Sequence, residues 1–123
     1  MKTIATKNAP AAIGPYSQAK VVGNLVFTSG QIPLDAQTGE VVGADVAAQA
    51  HCAIKNLSAI LEAAGSGLEK VAKTTCFLAD MADFAAFNAV YEQYFSEKPA
   101  RSCVAVKALP KGVLCEVEAI AEL

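Results

Sequence analysis

Residues 71–106 read VAKTTCFLADMADFAAFNAVYEQYFSEKPARSCVAV, and their pattern predicts a strand, a helix and a second strand. The first nine residues are rich in the types that favour strands. Asp80 follows at a position where a carboxylate can cap a helix. We interpret the aromatic face of that helix as core; it consists of Phe84, Phe87, Tyr91, Tyr94 and Phe95. Residues 101–106 predict the next strand, so the whole stretch predicts a strand–helix–strand crossover.

A hairpin and a first helix precede this crossover. Residues 17–22 and 25–30 alternate around Gly23 and Asn24, a pair suited to the positive φ angles of a tight turn. Asp45 then precedes a segment in which apolar residues recur at helical spacing. Those residues are Val46, Ala50, Ala53, Ile54, Leu57, Ile60, Leu61 and Ala64. The pattern predicts a helix with one apolar face.

The order of the elements predicts the architecture. Residues 113–121 form the last predicted strand, after a turn that contains a proline and a glycine. Right-handed crossovers would place both helices on the same face of one mixed sheet. We therefore expect an α+β fold in which residues 1–123 form a single domain.

Alternation along the two C-terminal strands predicts which side chains lie under the helices. The apolar set expected there is Val104, Val106, Val113, Cys115, Val117 and Ala119. The intervening residues, Arg101 with Cys103 and Glu116 with Glu118, would then share the face that the helices leave bare. A bare and partly apolar face is usually covered by another subunit, so a site there would lie at a subunit interface.

Composition argues against several classes of protein. The net charge of −2 and the pI near 5.3 disfavour a nucleic-acid partner, because phosphate recognition needs clustered cations. Cys52, Cys76, Cys103 and Cys115 contain no CxxC pair and match no metal spacing, so we expect no metal and free thiols in a reducing compartment. No apolar run approaches membrane-spanning length, and the first residues lack a secretory pattern. We expect a cytoplasmic protein with no membrane partner.

Arg101 is the first candidate site residue, because it is the only arginine beside nine lysines. A planar guanidinium binds a carboxylate through two parallel hydrogen bonds, whereas a lysine offers a mobile point charge. The alternatives are a solvated surface arginine or one half of a structural ion pair.

Four other residues are candidates beside Arg101. We expect Glu116 to lie level with Arg101, and the alternatives are a functional carboxylate or an exposed charge on the strand. Cys103 is expected to be a passive wall and not a nucleophile, because the only histidine, His51, lies on the polar face of the first helix. Ser29 offers a hydroxyl group at a strand end, and Gly30 after it permits close backbone approach, which suits ligand binding.

Five motifs occur in order over essentially the whole chain: APAAIGPYSQ (9–18), TSGQIP (28–33), VAKTT (71–75), PARSCV (99–104) and EVEAIA (116–121). Together they resemble the RidA/YjgF family, the reactive-intermediate deaminases that are also labelled endoribonuclease L-PSP. The resemblance implies a chorismate-mutase-like α+β fold, assembled as a homotrimer with three sites in the clefts between subunits.

The resemblance also implies an activity. It is the hydrolysis of 2-imino acids such as 2-iminobutanoate and 2-iminopropanoate, which pyridoxal-phosphate dehydratases release from threonine or serine, to 2-oxo acids and ammonia without a cofactor. Carried over by motif, Arg101 would hold the substrate carboxylate and Glu116 would orient or activate the attacking water. The pocket would be shaped by Tyr16, Ser29, Gly30 and the Cys103 backbone.

Two other functions remain open at this stage. The same scaffold could bind or sense 2-oxo acids and other small carboxylates without turnover, since fold does not fix function. The ribonuclease suggested by the family's other label is disfavoured by the acidic pI and the single histidine.

Overall fold

The computed structural model describes residues 1–123, which form six strands and two α-helices. In chain order these are β1 (Lys2–Ile4), β2 (Ala19–Val22), β3 (Leu25–Thr28), α1 (Val46–Ala63), β4 (Val71–Leu78), α2 (Phe84–Tyr94), β5 (Ala100–Ala105) and β6 (Cys115–Glu122). The strands form one sheet in the order β1-β2-β3-β6-β4-β5. Only β4 and β5 are parallel, and every other neighbouring pair is antiparallel. The sheet is therefore mixed, as predicted.

The hairpin prediction is confirmed. Val22 pairs with Leu25 across a two-residue turn, and Gly23 adopts a φ of 59°, which a glycine reaches without steric strain. The short edge strand β1 was not predicted. It pairs only with β2, and three residues are too few for an alternating pattern to be recognised.

Carboxylate caps begin both helical regions. Asp45 accepts a 2.8 Å hydrogen bond from the Ala48 amide at the start of α1. Asp80 accepts one from the Ala82 amide, so it caps a short 3₁₀ turn, Met81–Asp83, that leads into α2. Asp80 is therefore a cap, as predicted, but it caps this turn, and the α-helix begins only at Phe84.

Both helices cover the same face of the sheet. A cluster of 22 buried residues joins α1, α2 and the inward side chains of the strands, and Ile54, Leu57, Phe87 and Val117 are completely buried in it. This layer is the hydrophobic core, and it confirms the single-domain α+β fold.

The predicted face of Arg101 and Cys103 was wrong. Paired residues of neighbouring strands point to the same side of a sheet. Arg101 pairs with Thr74 and Cys103 with Cys76, and both partners are fully buried beneath the helices. Arg101 and Cys103 therefore lie on the helix-covered face.

Val104, in the same strand, lies on the face that the helices leave bare. Val104 pairs with Phe77 and is 46% exposed, so the expectation that it lies under the helices was also wrong. Alternation fixes which residues of a strand share a face, but it does not say which face the helices cover. The predicted positions of Glu116 and Glu118 are confirmed, because they pair with Phe77 and Thr75 on the bare face.

The bare face is partly apolar. Val22, Leu25, Phe27 and Val104 all lie there and are 37–50% exposed.

Neither helix has the length and apolar character needed to cross a membrane.

Gln18 holds the N-terminal segment against the sheet, and this contact is testable. The side chain is 4% exposed; it accepts a hydrogen bond from the Thr6 amide and donates to the Thr6 and Pro10 carbonyl groups. Gln18→Ala leaves these partly buried groups unpaired and should lower the free energy of unfolding by about 1–3 kcal/mol. Urea denaturation measures the change.

Gln93→Ala is the matched control. The Gln93 side chain is exposed and donates to the Ala89 carbonyl group on the surface of α2, so its loss should have little effect. Equal destabilisation by the two substitutions would contradict the anchoring role of Gln18.

Candidate functional site

The cleft around Glu116 has a volume of about 680 Å³. Four of the six predicted site residues line it, namely Tyr16, Ser29, Gly30 and Glu116. They come from distant parts of the sequence. Gln31 brings two of these parts together, because its backbone exchanges hydrogen bonds of 2.8 and 3.0 Å with Val117 of β6. The segment after β3 is therefore held directly beside Glu116.

Gly30 is required by this close approach. A Cβ atom built on Gly30 would lie 2.8 Å from Cδ of Glu116 and would overlap a carboxylate oxygen. The backbone angle of Gly30 is not in the left-handed region, so the need is for space and not for conformational freedom. Gly30 therefore lets the Glu116 carboxylate approach the backbone, while its expected role in ligand binding stays a prediction.

The Ser29 hydroxyl group is already used as a donor. Its Oγ donates a 2.6 Å hydrogen bond to the Ser17 carbonyl group, while the Ser29 amide donates to the carbonyl group of Gln18. A serine oxygen keeps its acceptor capacity when its proton is engaged. Ser29 can therefore accept a hydrogen bond from a ligand N–H or from water. Tyr16 lies nearby with 54% of its surface exposed.

The pKa of Glu116 is raised above its ordinary value. Burial disfavours the charged form of this half-buried carboxyl group, and the negative charge of Glu118 adds to the effect. A carboxylate with a raised pKa is a stronger base, which suits a role in proton transfer.

Arg101 is held on the other face of the sheet by residues of α2. Its terminal nitrogen Nη1 donates a 2.7 Å hydrogen bond to Oδ1 of Asn88. Its Cζ atom lies 4.7 Å from the centre of the Tyr91 ring and 5.6 Å from that of Phe84. These are cation–π distances, and they fix the plane of the guanidinium group. The other two guanidinium nitrogens form no hydrogen bond within the chain, and neither of them is buried. Both are therefore accessible to a ligand.

Tyr91 is itself held in place. Its hydroxyl group forms a 2.7 Å hydrogen bond with Oγ1 of the buried Thr74, and its ring stacks on Phe95 at 4.4 Å. Sequence reasoning interpreted Tyr91 only as core and missed Asn88. The spacing of Phe84, Asn88 and Tyr91, at i, i+4 and i+7, places them on one side of the helix and was the available signal.

Cys103 is a weak nucleophile in this setting. Burial raises the pKa of its thiol, and the nearby Arg101 charge offsets this only in part. The pKa of Cys76, its cross-strand neighbour, is raised to about 12, also mainly by burial. These thiols are therefore protonated at neutral pH and are poor nucleophiles, while the role of Cys103 as a wall of the pocket stays a prediction. No three side chains of His, Cys, Asp or Glu converge to hold a metal ion.

One chain does not bring Arg101 and Glu116 together. Arg101 lies on the helix-covered face of β5 and Glu116 on the bare face of β6, with β4 between the two strands. Two strand spacings separate them by about 9–10 Å, in addition to the thickness of the sheet. The site residues therefore form two half-sites: the Glu116 cleft and the Arg101 surface.

This combination defines a small α+β protein with a carboxylate-containing cleft and a separate arginine surface. The chain matches the family model described as Endoribonuclease L-PSP over residues 6–123. It is 57% identical over 124 residues to a 2-iminobutanoate/2-iminopropanoate deaminase of Escherichia coli (strain K12), and the match covers 98% of this chain and 96% of that protein. The chain belongs to the RidA/YjgF family.

Two further relatives show how the names in this family vary. The chain is 53% identical to a protein of Lactococcus lactis named as a candidate regulator, AldR, with 100% of this chain and 98% of that one covered. The crystal structure of E. coli TdcF with bound serine superposes with a TM-score of 0.95 at 50% identity, covering 100% and 99% of the two chains.

The raised pKa of Glu116 can be tested through Glu118. Glu118→Gln removes the smaller cause, so the pKa of Glu116 should fall but remain above 4.5, because burial is the larger cause. Carboxyl ¹³C chemical shifts followed against pH measure this value. Glu122→Gln, at the exposed end of β6, is the control and should leave the Glu116 titration unchanged.

The raised pKa of Glu116 also makes the stability of the fold depend on pH. A carboxyl group with a raised pKa in the folded state binds its proton more tightly than in the unfolded chain. The free energy of unfolding should therefore fall as the pH rises from about 4.5 through the raised pKa. Glu118→Gln should make this fall smaller, and a steeper fall would contradict the assigned repulsion.

Proposed function

We propose that this protein hydrolyses small 2-imino acids, such as 2-iminobutanoate and 2-iminopropanoate, to 2-oxo acids and ammonia. The observation that carries the proposal is the half-buried Glu116 carboxylate, which lies in an open cleft against Gly30 and has a raised pKa. The 57% identity to a protein named for this reaction supports it.

The complete site takes residues from two subunits in this proposal. Because Arg101 and Glu116 of one chain lie on opposite faces of the sheet, one substrate can meet both only if they belong to different chains. The exposed apolar side chains of the bare face favour its burial against further copies. We therefore propose a homotrimer with three sites, in which Arg101 of one subunit completes the Glu116 cleft of the next.

Arg101 binds the substrate carboxylate in the proposed mechanism. Its guanidinium plane is fixed by Tyr91 and Asn88, so the free edge is already oriented for two parallel hydrogen bonds. Fixing the carboxylate also fixes the adjacent imino carbon, which lowers the entropic barrier to attack. The Cys103 backbone and the Tyr16 ring shape the walls of the pocket.

Glu116 moves the protons. Its carboxylate takes a proton from water as the water oxygen bonds to the imino carbon, and it passes this proton to the imino nitrogen, which gives a carbinolamine. Glu116 then transfers the hydroxyl proton of the carbinolamine to its amino group, so the carbon–nitrogen bond breaks and ammonia and the 2-oxo acid are released. Imines also hydrolyse without an enzyme, so a sparse site suffices, and the steps need no cofactor.

Arg101→Lys tests the guanidinium. Lysine keeps the charge but loses the two-pronged geometry, so the acceleration of imine hydrolysis should fall at least about tenfold while the assembly persists. A threonine dehydratase supplies the imine, and the appearance of 2-oxobutanoate is followed with and without the protein. Analytical ultracentrifugation checks the assembly, and unchanged turnover would remove Arg101 from the proposed site.

Subunit mixing tests whether the site is shared. Arg101→Lys and Glu116→Gln subunits are refolded together in equal amounts. Every mixed trimer then contains one interface with an intact Arg101 and an intact Glu116, so about a quarter of the wild-type activity should return. Each variant refolded alone is the control. If both residues acted within one chain, mixing would restore nothing.

A binding or regulatory function is the second candidate. It is favoured by the serine bound to TdcF and by the name of the AldR relative. Glu116→Gln separates the two functions: turnover should fall by about a hundredfold or more while 2-oxobutanoate binding, measured by calorimetry, stays within a few fold. Absence of turnover in the wild-type protein, together with 2-oxo acid binding, would favour the regulatory function.

A ribonuclease activity is not proposed, despite the description of the family model. The net charge of −2 disfavours binding of a phosphate backbone, and the single histidine, His51, is engaged with Tyr94 through a 2.7 Å hydrogen bond. The four cysteines form no disulfide, which favours a reducing compartment, so we place the activity in the cytoplasm.

A further inference from the structure

The lining of the Glu116 cleft includes a polar group of residues, which are Gln37, Thr38, Gly39 and Lys111. We call this group the polar end of the cleft. Lys111 and Glu116 are the only charged residues of the lining, and they have opposite signs. The polar end is not needed for the methyl or ethyl side chain of the imino acids named above.

The loop on one side of this end is rigidly built. The Asp35 carboxylate accepts hydrogen bonds of 2.8 and 2.9 Å from the Gln37 and Thr38 amides, and the Gly39 amide donates to the Asp35 carbonyl group. The Lys111 ammonium group donates a 3.2 Å hydrogen bond to the Gly39 carbonyl group. The ammonium group is therefore positioned at the cleft with further N–H donors available.

Lys111 occupies a position where a glycine would be less strained. Its backbone angles, φ 57° and ψ 17°, lie in the left-handed region, and Gly112 after it has a φ of 66°. Residues with a side chain adopt this region at an energetic cost, and such strain is concentrated at functional sites. The strained residue here is one that directs a cation to the cleft.

The distance along the chain suits a small ligand that spans both ends. Glu116 lies five positions after Lys111, so their Cα atoms are at most about 18 Å apart. The lysine side chain reaches about 6 Å beyond its Cα atom, on the same geometry. When the lysine extends toward Glu116, at most about 12 Å remains between its ammonium group and the Glu116 Cα atom, which the Glu116 side chain and an imino dicarboxylic acid of four or five carbons can span together.

We infer that the polar end of the cleft is a subsite for an acidic side chain. The protein then also hydrolyses imino acids that carry a second carboxylate, the class formed when aspartate or glutamate is oxidised at its amino group. Lys111 binds the distal carboxylate, water adds to the imino carbon, and the products are a 2-oxo dicarboxylic acid and ammonia. The inference rests on the proposed function and names a further substrate class for the same site.

The test compares an acidic and a neutral imino acid. An amino-acid oxidase generates the imine of glutamate or of alanine, semicarbazide traps it, and the protein's acceleration of hydrolysis is measured by the decrease in semicarbazone. Lys111→Met keeps the length of the side chain but removes its charge. It should lower the acceleration for the glutamate imine about tenfold and leave the alanine imine unchanged.

Two further variants are controls for this comparison. Lys70→Met removes an exposed charge before β4, at the opposite end of the sheet from Cys115, and should change neither substrate. Lys111→Gly removes the side chain and relieves the backbone strain, so it should fold with an equal or higher melting temperature and lose the acidic substrate as Lys111→Met does.

Binding measurements test the Lys111 subsite independently of catalysis. Wild-type protein should bind 2-oxoglutarate more tightly than 2-oxobutanoate, and Lys111→Met should reduce that preference about tenfold. If no imine is hydrolysed but this preference is present and lost on substitution, the proposed function fails and the subsite stands. If Lys111→Met changes neither the substrate ratio nor the binding ratio, the subsite is overturned.

Discussion

The central strand β6 constrains everything around it. It pairs with β3 on one side and with β4 on the other, and it alternates strictly between buried apolar and half-buried positions. Cys115, Val117, Ala119 and Ala121 belong to the core, so Glu116 is forced onto the bare face. The next residue, Val117, exchanges backbone hydrogen bonds with Gln31 and so holds the segment after β3 beside the Glu116 carboxylate.

The parallel pairing of β4 with β5 imposes a second constraint. Its register turns Arg101 toward α2, where aromatic rings and an amide hold the guanidinium plane. A charged side chain is tolerated at the edge of the core because its flat faces meet rings while its polar edge stays open. The two half-sites are therefore a direct result of strand register.

Two backbone positions indicate how closely the cleft is built. Gly30 leaves room for the Glu116 carboxylate, so an alanine there would displace the group that defines the cleft. At position 111 a lysine stands where the left-handed backbone angles would be less strained in a glycine. At position 30 the residue type therefore follows from the neighbouring Glu116 carboxylate and not from local secondary-structure preference.

Much of the fold followed from local patterns, because hairpin turns, helix caps and alternation are encoded by neighbouring residues. The sequence alone determined the two helices, five of the six strands, and Arg101 and Glu116 as the residues to examine. It did not determine that these two lie on opposite faces, that Asn88 and Tyr91 hold the arginine, or that Gly30 touches Glu116. Those relations depend on pairing between segments far apart in the chain, and the alternation of a single strand carries no information about which of its faces the helices cover.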